Sequence, residues 1–597
     1  MKKIYRLLLF LGCVLITPSI AFAVPAALDV TPSAAGIMQN TSGVYNQMQI
    51  NQMKDYRIEK NLISPVETLT PPKDEEEKFE VDVQKDLVKD GVIYNPKFMV
   101  RKINFEGNTK IKSKVLNSLA DDIIDHEIYF EDLLTFALRV SRYYQSKGYL
   151  TSYAYIPAQQ IVDGQVTVSI VESTIDEVDI SGNKWARKWY LKNVVMGRDG
   201  LREGTVFNAK ALQGSLRELN EEKYIKAQST ISKNGDNTKV ELNVRDRFPL
   251  RFNFGWDDYG RTYTGVQRAS FLLGLDNLTG FGDKIYGGTV LSSGSTGVLA
   301  GYSIPVSPYG TRVSFDYSNS NICLGGPYKY LNVRGKSQSM GVRVTHPLIK
   351  NAKTDLVVYT GIDFVDADTY SKRLNYTLSD YKLFVIRSGL RGIRDDKYGR
   401  WLGTLGVDVG LPGGTKDNYM NAPQGTFVKI VAGATRVQRL WGRVIGLVRV
   451  NGQYSPNRLY AVEQMQMGGP YTLRGYQPAE LIGDYGVTGT VEIRTPIPGL
   501  KKILPNKLKF IDDKVRLAAF YDFGWIKEND NVYNYPQNFL HSVGFGSYIN
   551  ITDWLALQFG VGFPIGHKYY DESSGRFYFG VNSEFDSLIP FRKTEKL

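Results

Sequence analysis

The sequence predicts a fold of mixed class, α+β plus all-β: two small α/β modules, then a sixteen-stranded antiparallel β-barrel that spans a membrane. Three observations predict it. A strand–helix–helix–strand–strand pattern occurs twice between residues 98 and 247. From Phe248 onward, alternating segments of strand length replace the helical period, separated by Gly, Pro, Asn and Asp. The N-terminus has the form of a secretion signal.

The composition favours a β-rich protein. The 597 residues include 58 Gly, 38 Tyr, 28 Phe and 7 Trp, and 22% are charged, which excludes a disordered chain. A mean hydropathy of −0.26 argues against a helical membrane protein. Outside residues 7–17, no apolar run approaches the ~18 residues that a spanning helix needs. A soluble β-protein and a membrane barrel therefore remain.

Residues 1–23 are predicted to be a cleaved signal, with basic residues at Lys2, Lys3 and Arg6, an apolar core, and the cleavage site 21–23. Pro18 and the short core argue against a membrane anchor, and the residues before Cys13 match a lipoprotein signal poorly. Cleavage leaves Cys323 as the only thiol and hence no intramolecular disulfide, which suits a bacterial cell envelope. The net charge of +12 is not clustered, so nucleic-acid binding is not supported.

Residues 24–97 are mostly polar and are interrupted by proline residues and a charged run. The segment 24–63 contains a candidate helix at 34–61, although it lacks a continuous apolar stripe. The segment 64–97 contains Pro65, Pro71 and Pro72 and the charged run 73–78, and this composition predicts a flexible linker.

The first module is predicted over residues 98–173. It begins with a strand at 100–105, the turn Gly107-Asn108 and a short helix near 113–120. A longer helix starts at Glu131, and strands at 150–156 and 165–171 close the module. The apolar residues at helical spacing in the longer helix are Leu134, Leu138, Val140 and Tyr144.

The second module is predicted over residues 174–247 with the same order of elements. A strand at 175–180, the turn Gly182-Asn183 and a helix near 188–195 are followed by a helix that Asn208 caps. That helix carries Leu212, Leu216 and Leu219. Strands at 225–232 and 238–245 end the module.

Residues 248–597 are predicted to form the barrel. Most of the sixteen segments reach the ~9–11 residues that cross a bilayer at a tilt, and an even number brings both ends to one side. A soluble sandwich or propeller would need polar residues on a face that these strands keep apolar, as strand 514–525 does at alternate positions from Val515 to Trp525. The segments are 248–257, 267–275, 284–293, 298–305, 310–318, 336–346, 354–365, 381–393, 401–410, 427–436, 441–453, 486–496, 514–525, 540–550, 553–563 and 575–585.

The order of the strands assigns each connection to one side of the membrane. If the two modules lie in the periplasm, the first strand runs outward and the odd-numbered connections lie outside. The outer loops are then 319–335, 366–380, 411–426 and 454–485, the last being the longest. The inner turns are short except for 497–513. Short inner turns and long outer loops are typical of transmembrane barrels.

The longest loop and one strand carry the candidate chemistry. The loop contains a Gly-rich run, and period-2 arithmetic places Phe520, Asp522 and Gly524 of strand 514–525 on the lumen face. A lumen carboxylate calls for a cation, so we hypothesise that loop 454–485 folds inward and Arg474 pairs with Asp522. The run comprises Gly468, Gly469, Pro470, Tyr471, Thr472, Leu473, Arg474, Gly475 and Tyr476.

At these residues the chain resembles the TpsB transporters of two-partner secretion, the haemolysin secretion/activation class of the superfamily of POTRA-bearing outer-membrane barrels. Leu473-Arg474-Gly475-Tyr476 matches the class motif [V/L]-R-G-[Y/F], and Phe520-x-Asp522-x-Gly524 matches F-x-D-x-G. The resemblance implies a plug helix in 24–63, POTRA domains at 98–173 and 174–247, and an Arg–Asp pair that holds the inward loop in place. It also implies residence in the bacterial outer membrane, with the POTRA domains in the periplasm.

The resemblance implies export of a partner exoprotein: a TpsA-type adhesin, haemolysin or toxin. The POTRA domains would bind it as an added strand, with 225–232 (Ile225, Ala227, Ser229 and Ile231) and 150–156 as candidate edges. An ordinary protected edge strand is the alternative. The other partners would be outer-membrane lipid, periplasmic chaperones and the barrel-insertion machinery. We expect a monomer without cofactor or metal.

Other functions compete with export. An assembly factor of the same superfamily is the main alternative, although those proteins typically have more POTRA domains. A passive porin would not explain the paired modules. An enzyme is disfavoured, because the four His residues are far apart and no nucleotide-binding or hydrolase motif occurs. Cys323 lies in a predicted outer loop, where it could be unpaired on the surface or matched to another chain, and we favour an incidental buried thiol. Either Phe585 or Phe591 supplies the C-terminal aromatic of such barrels, or a short tail after Phe585 lies in the periplasm.

Overall fold

The computed structural model describes residues 88–89, 92–93, 95–197, 201–222, 224–307, 309–351, 353–417, 423, 425–499, 511–531, 537–552, 554–566 and 574–585. The predicted signal, the plug segment 24–63, most of the linker and the tail after Phe585 lie outside these residues. The chain divides into two compact units: one within Pro72–Arg247, and one that contains Phe248–Leu597.

The first module is built on a three-stranded sheet in which β4 (Lys102–Glu106) lies parallel to β7 (Gln165–Val171), and β7 lies antiparallel to β6 (Tyr153–Tyr155). The predicted strand 100–105 is wrong in one respect, because Arg101 interrupts it and its N–H donates to the Gly164 carbonyl. The residues before Arg101 form a separate strand, β3 (Lys97–Val100), which pairs with an unpredicted strand, β5 (His126–Tyr129). The elements are β1 (Val88–Lys89), β2 (Val92–Ile93), β3 (Lys97–Val100), β4 (Lys102–Glu106), α1 (Ser113–Asn117), β5 (His126–Tyr129), α2 (Phe130–Ser146), β6 (Tyr153–Tyr155) and β7 (Gln165–Val171).

Helix α2 covers this sheet. Val140 and Tyr144 are fully buried, as the helical spacing predicts. Leu133 and Phe136 are fully buried as well, whereas the predicted Leu134 and Leu138 are half-buried at the flank of the stripe. In part of the helix, the side chains that enter the core are therefore the neighbours of the predicted ones, such as Leu133 instead of Leu134.

The second module repeats the topology of the first, with β8 (Ile175–Ser181) parallel to β10 (Asn237–Asp246) and β10 antiparallel to β9 (Ile225–Asn234). The Asn208 side chain accepts hydrogen bonds from the N–H groups of Lys210 (3.0 Å) and Ala211 (3.3 Å), which is the predicted helix cap. The elements are β8 (Ile175–Ser181), α3 (Lys188–Met196), α4 (Ala209–Glu221), β9 (Ile225–Asn234) and β10 (Asn237–Asp246).

The Gly-Asn turns show that the two modules are one structural unit used twice. Gly107 and Gly182 adopt φ values of 82° and 80°. A Cβ on Gly107 would lie 2.2 Å from the carbonyl oxygen of Ile170, so only glycine fits there. The following Asn108 and Asn183 each donate to the carbonyl three residues on, at 2.8 and 2.7 Å. A carboxylate just after or at the end of the last strand, Glu172 or Asp246, then accepts from the N–H groups of the turn.

The predicted sixteen-stranded antiparallel barrel is confirmed, and each predicted segment corresponds to one wall strand. Strand β28 pairs with β11 to close it. The strands of this unit are β11 (Leu250–Asp257), β12 (Arg268–Asp276), β13 (Lys284–Ser292), β14 (Ser295–Pro305), β15 (Arg312–Cys323), β16 (Val333–Lys350), β17 (Thr354–Ser371), β18 (Tyr376–Asp396), β19 (Gly399–Asp417), β20 (Phe427–Arg439), β21 (Ile445–Tyr454), β22 (Met465–Met467), β23 (Leu481–Gly483), β24 (Tyr485–Pro496), β25 (Val515–Lys527), β26 (Phe539–Asn550), β27 (Leu555–Ile565) and β28 (Arg576–Phe585), of which β22 and β23 lie outside the wall.

In three of the predicted outer loops, the preceding wall strand continues into the loop. Strand β15 continues to Cys323, β17 continues to Ser371, and β19 continues to Asp417. The inner face of these extensions stays buried but carries polar residues such as Ser320, Thr369 and Ser371, so the apolar alternation weakens although the strands stay paired. Cys323 is exposed at the end of β15, and the expectation that it is buried is wrong.

Strand β25 shows how the wall separates its two faces. Phe520 and Asp522 point into the barrel with 6% and 0% exposure, whereas Leu517, Tyr521 and Trp525 are 37–38% exposed on the outside. This is the alternation that the sequence predicts. No helix among the described residues is long and apolar enough to cross a bilayer, and the short helix α5 (Ile511–Lys514) precedes β25.

Candidate functional site

The candidate site lies inside the barrel, where residues 455–484 between β21 and β24 fold into the lumen. Nearly all of these residues are buried or half-buried. After a 3-10 turn at Ala461–Glu463, the short strands β22 and β23 pair as a hairpin. We call residues 468–476, which lie between these two strands, the loop tip.

Glycines with positive φ shape the loop tip. Gly468 and Gly469 have φ values of 116° and 96°, conformations that residues with a Cβ rarely adopt. The Thr472 hydroxyl donates to the Gly468 carbonyl at 2.8 Å, and the Gly469 N–H donates to the Leu473 carbonyl at 3.1 Å. These bonds close the tip into a turn that presents Arg474 to the wall.

Arg474 binds Asp522 in a bidentate arrangement. Its Nε and Nη2 each lie 2.8 Å from a different oxygen of Asp522, and its main-chain N–H donates to the same carboxylate at 3.0 Å. The guanidinium carbon lies 3.3 Å from the centre of the Phe520 ring. Because Asp522 has no exposure to solvent, this carboxylate depends on Arg474 for its charge balance.

A second carboxylate, Glu492 on β24, completes the charge cluster. Arg474 Nη1 and Arg494 Nε both bind it, and the Tyr548 hydroxyl donates to it at 3.1 Å. Two arginines thus face two carboxylates. If Arg474 is removed, two buried carboxylates share one remaining cation.

The tip also packs main chain against main chain. A Cβ on Gly562 of β27 would lie 2.5 Å from the Gly475 nitrogen and 2.6 Å from the Arg474 carbonyl carbon. The hydroxyl of Tyr578 on β28 accepts from the Gly475 N–H at 2.8 Å and donates to the Tyr476 carbonyl at 3.3 Å. The tip therefore contacts β24, β25, β27 and β28.

Gly524, the last residue of the F-x-D-x-G match, makes room for the loop. A Cβ at this position would lie 2.3 Å from the Met467 sulfur and 3.1 Å from a methyl carbon of Leu473. Both residues belong to a buried apolar cluster that includes Tyr476 and Leu481. The glycine thus lets the loop pack directly on strand β25.

The structure brings the predicted lumen residues together in one cluster. They are Gly468, Gly469, Thr472, Leu473, Arg474, Gly475, Tyr476, Phe520, Asp522 and Gly524. The sequence reasoning missed Glu492, Gly562 and Tyr578. Alternation in Thr490-Val491-Glu492 could have placed Glu492 in the lumen, whereas nothing in the sequence indicates that the tip reaches β27 and β28.

The predicted docking edge in the second module is only partly open. Strand β9 is an edge of its sheet. The Ala227 N–H and carbonyl, however, are bound by the Asn220 side chain at 2.8 and 2.9 Å, and the Ile225 N–H donates to Glu222. The side chains of both residues lie in the core, so neither offers the free edge that we expected.

Ser229 and Ile231 share the parity of Ala227, so their main-chain groups also point away from β10. Among the residues that the structure describes, we find no partner for these groups. In the first module, the candidate edge 150–156 is reduced to the three residues of β6. Its Tyr153 hydroxyl donates to Asp236 of the second module at 3.2 Å, and burial raises the pKa of Tyr153.

Within the described ranges, no group of His, Cys, Asp and Glu side chains has the geometry of a metal site. The charged groups in the lumen pair with one another. The arrangement is therefore suited to holding a segment of chain by charge and shape.

Comparison with known proteins gives a consistent result. The family model described as haemolysin secretion/activation protein ShlB/FhaC/HecB matches residues 236–549. A model of the ShlB-type POTRA domain matches residues 98–173, and one described as POTRA, surface antigen variable number repeat, matches residues 173–246.

Among curated proteins, the chain is 22% identical over 512 residues to the outer membrane transporter CdiB of Dickeya dadantii, covering 81% of this chain and 86% of the relative. It is 23% identical over 505 residues to the heme/hemopexin transporter protein HuxB of Haemophilus influenzae, covering 80% and 85%. Among solved structures, CdiB from Escherichia coli superposes with a TM-score of 0.70 at 20% identity, covering 95% of this chain and all of that one.

Proposed function

The chain belongs to the haemolysin secretion/activation family ShlB/FhaC/HecB, and from this premise we propose that it exports one unfolded partner protein to the cell surface through its barrel. It is an outer-membrane transporter of the two-partner secretion type, with its POTRA domains in the periplasm. The partner is a secreted adhesin, haemolysin or toxin. The transporter acts as a monomer and is not an enzyme.

The observation that carries the proposal is the inward loop held by Arg474. A lumen filled by its own loop is closed to free diffusion, which argues against a passive porin. A chain that threads outward needs this loop to shift or to share the lumen with it. Since the periplasm contains no nucleotide, the partner's own folding outside the cell would bias its movement outward.

We assign partner capture to the open part of strand β9. An extended segment of the unfolded partner would pair with Ser229 and Ile231, because main-chain hydrogen bonds bind with little demand on sequence. Ile225 and Ala227 would anchor the strand to its own module instead. Periplasmic chaperones, the barrel-insertion machinery and outer-membrane lipid would act during assembly of the barrel.

The division of the chain remains part of the proposal. We assign residues 1–23 to a signal, 24–63 to a plug helix, 64–97 to a linker, 98–173 and 174–247 to the POTRA domains, and 248–597 to the barrel with its inward loop 454–485.

A charge-swap cycle tests the role of the inward loop. Arg474→Asp, Asp522→Arg and the double variant would be expressed in the native bacterium, and large secreted proteins in the medium would be compared with barrel abundance in the outer membrane. We expect both single variants to abolish secretion at normal abundance, because each leaves buried like charges together, at a cost of about 3–5 kcal/mol. We expect the double variant to recover part of the secretion, because the pair is restored with its charges exchanged. Recovery should be incomplete, because Glu492 then faces the new carboxylate at position 474.

Arg334→Asp is the matched control, because Arg334 is exposed on β16. If secretion persists in both single variants while other barrels disappear from the outer membrane, the chain is an assembly factor. If neither quantity changes, the loop has no role in transport.

A proline at the open edge tests partner capture. Ser229→Pro removes one outward N–H, and proline is tolerated at a sheet edge. We expect cross-linking of the partner to the second module to fall by about 1–2 kcal/mol of binding free energy, or roughly tenfold. Gln228→Ala, which changes an exposed side chain on the same strand, should leave it unchanged. Equal cross-linking in all three proteins would exclude β9 as the capture edge.

A further inference from the structure

A second charge cluster lies at the start of the inward loop, away from Arg474. Glu463 ends the 3-10 turn and is fully buried. One of its oxygens lies 2.7 Å from Arg387 Nη2, and the other lies 2.6 Å from Lys429 Nζ. Arg387 and Lys429 belong to wall strands β18 and β20, whereas the tip contacts described above are with β24, β25, β27 and β28.

The wall around Glu463 holds more cations than carboxylates. Arg387 also binds Asp363 at 2.7 Å and Asp408 at 2.6 Å. Arg343 lies 3.9 Å from Asp363. The wall thus contributes three cations and two carboxylates, and Glu463 from the loop balances them.

Main-chain hydrogen bonds and apolar packing fix the same segment of the loop. The Lys429 ammonium and the Gln453 amide both donate to the Glu463 main-chain carbonyl, at 3.0 and 3.1 Å. Leu459, Tyr460 and Val462 pack on a buried apolar belt of the wall. The residues of that belt are Val365, Ala367, Tyr381, Leu383, Val385 and Phe427.

Between the two charge clusters lies a pair of residues suited to a hinge. Gly468 and Gly469 both have positive φ, and they separate Glu463 from Arg474 along the chain. Small rotations at two consecutive glycines can move the tip without moving the residues before them.

We propose that Glu463, with Arg387 and Lys429, forms a second and independent anchor of the inward loop. This root anchor keeps residues 459–463 on strands β17–β20 when the tip leaves Asp522. It is a positioning device: the moving part of the loop is confined to the segment beyond Gly468. The consequence for export rests on the proposed function, whereas the anchor itself can be tested by the position of the loop without any partner.

The test uses water-soluble maleimide labelling of the purified, folded barrel in a Cys323→Ser background. Gln466→Cys reports on the loop root, where Gln466 is 4% exposed, and Thr472→Cys reports on the tip. Because Thr472→Cys itself removes the hydroxyl that binds the Gly468 carbonyl, each rate is compared with that of the same reporter without a second change. Glu463→Gln removes the loop carboxylate. Glu492→Gln is the matched change of the same shape at the tip.

We expect Glu463→Gln to raise the labelling rate at position 466 on the order of tenfold and to leave position 472 unchanged. Glu492→Gln should do the reverse. Faster labelling of both positions by Glu463→Gln, or of neither, would overturn the proposal, because the loop would then move as one body or would not depend on Glu463.

A second pair of variants covers a failure of Glu463→Gln to fold. Lys429→Met leaves one carboxylate in excess, and Lys429→Met with Glu463→Gln restores neutrality. We expect the double variant to label at position 466 more slowly than Lys429→Met alone, because it no longer holds an unbalanced carboxylate. Labelling as fast as that of Lys429→Met, or faster, would show that the charges act separately, which contradicts an anchor built on their pairing.

Discussion

The tip and the root of the inward loop are held by charge clusters of opposite sense. At the tip, the loop supplies a cation, Arg474, to a wall that carries buried carboxylates. At the root, the loop supplies a carboxylate, Glu463, to a wall with an excess of cations. Each wall sector is balanced only when its own part of the loop is in place, and a loop shifted in register would bring like charges together.

The surroundings of the two clusters differ as well. The root is enclosed by apolar side chains and has no glycine between Leu459 and Glu463. The tip is rich in glycine and lies directly on the main chain of β27. Buried ion pairs add little net stability but make misplacement costly. We therefore infer that both charge clusters fix the position of the loop on the wall, and that the part of the loop that moves is the tip.

The largest effect within this comparison is expected from Gly562→Ala. The added methyl carbon would lie 2.5 Å from the Gly475 nitrogen, and a main-chain atom cannot step aside as a flexible side chain can. Overpacking of this kind costs about 1–3 kcal/mol, which we expect to lift the tip away from the wall. Maleimide labelling at position 472 should rise, with position 466 unchanged.

Gly560→Ala is the control for that variant. A Cβ on Gly560, two residues earlier on the same face of β27, meets nothing closer than 3.8 Å. It should label like the parent protein. Equal labelling of both alanine variants would mean that the tip does not depend on its contact with β27.

The sequence predicts the barrel well because most of the wall strands show the alternation of residue types by themselves, without reference to their neighbours. Asp522 could be placed in the lumen from its parity with Phe520 and Gly524 alone. The Arg474–Asp522 contact followed because a buried carboxylate needs a cation. The first inference depends on the two-residue period of one strand, and the second depends on the chemistry of a buried carboxylate.

Other features depend on three-dimensional neighbours that no period encodes. The root cluster joins Asp363, Arg387, Asp408, Lys429 and Glu463 from four strands and a loop. The capped part of edge β9 depends on Asn220, which lies on the preceding helix. The strand extensions bury polar residues such as Ser320, Thr369 and Ser371, so they resemble loops in sequence.

The smallest effect is expected from Tyr578→Phe, which distinguishes a hydrogen bond at the tip from the charge cluster beside it. The Tyr578 hydroxyl accepts from the Gly475 N–H and donates to the Tyr476 carbonyl. Removal of the hydroxyl leaves a buried N–H without its partner, at a cost of about 1 kcal/mol. We expect labelling at position 472 to rise by roughly fivefold, with secretion reduced but retained. Tyr376→Phe, which removes an exposed hydroxyl from β18, is the control. An effect of Tyr578→Phe as large as that of Arg474→Asp would mean that the seam strand β28, rather than the buried charges, holds the tip, and the contrast between tip and root would then rest on packing alone.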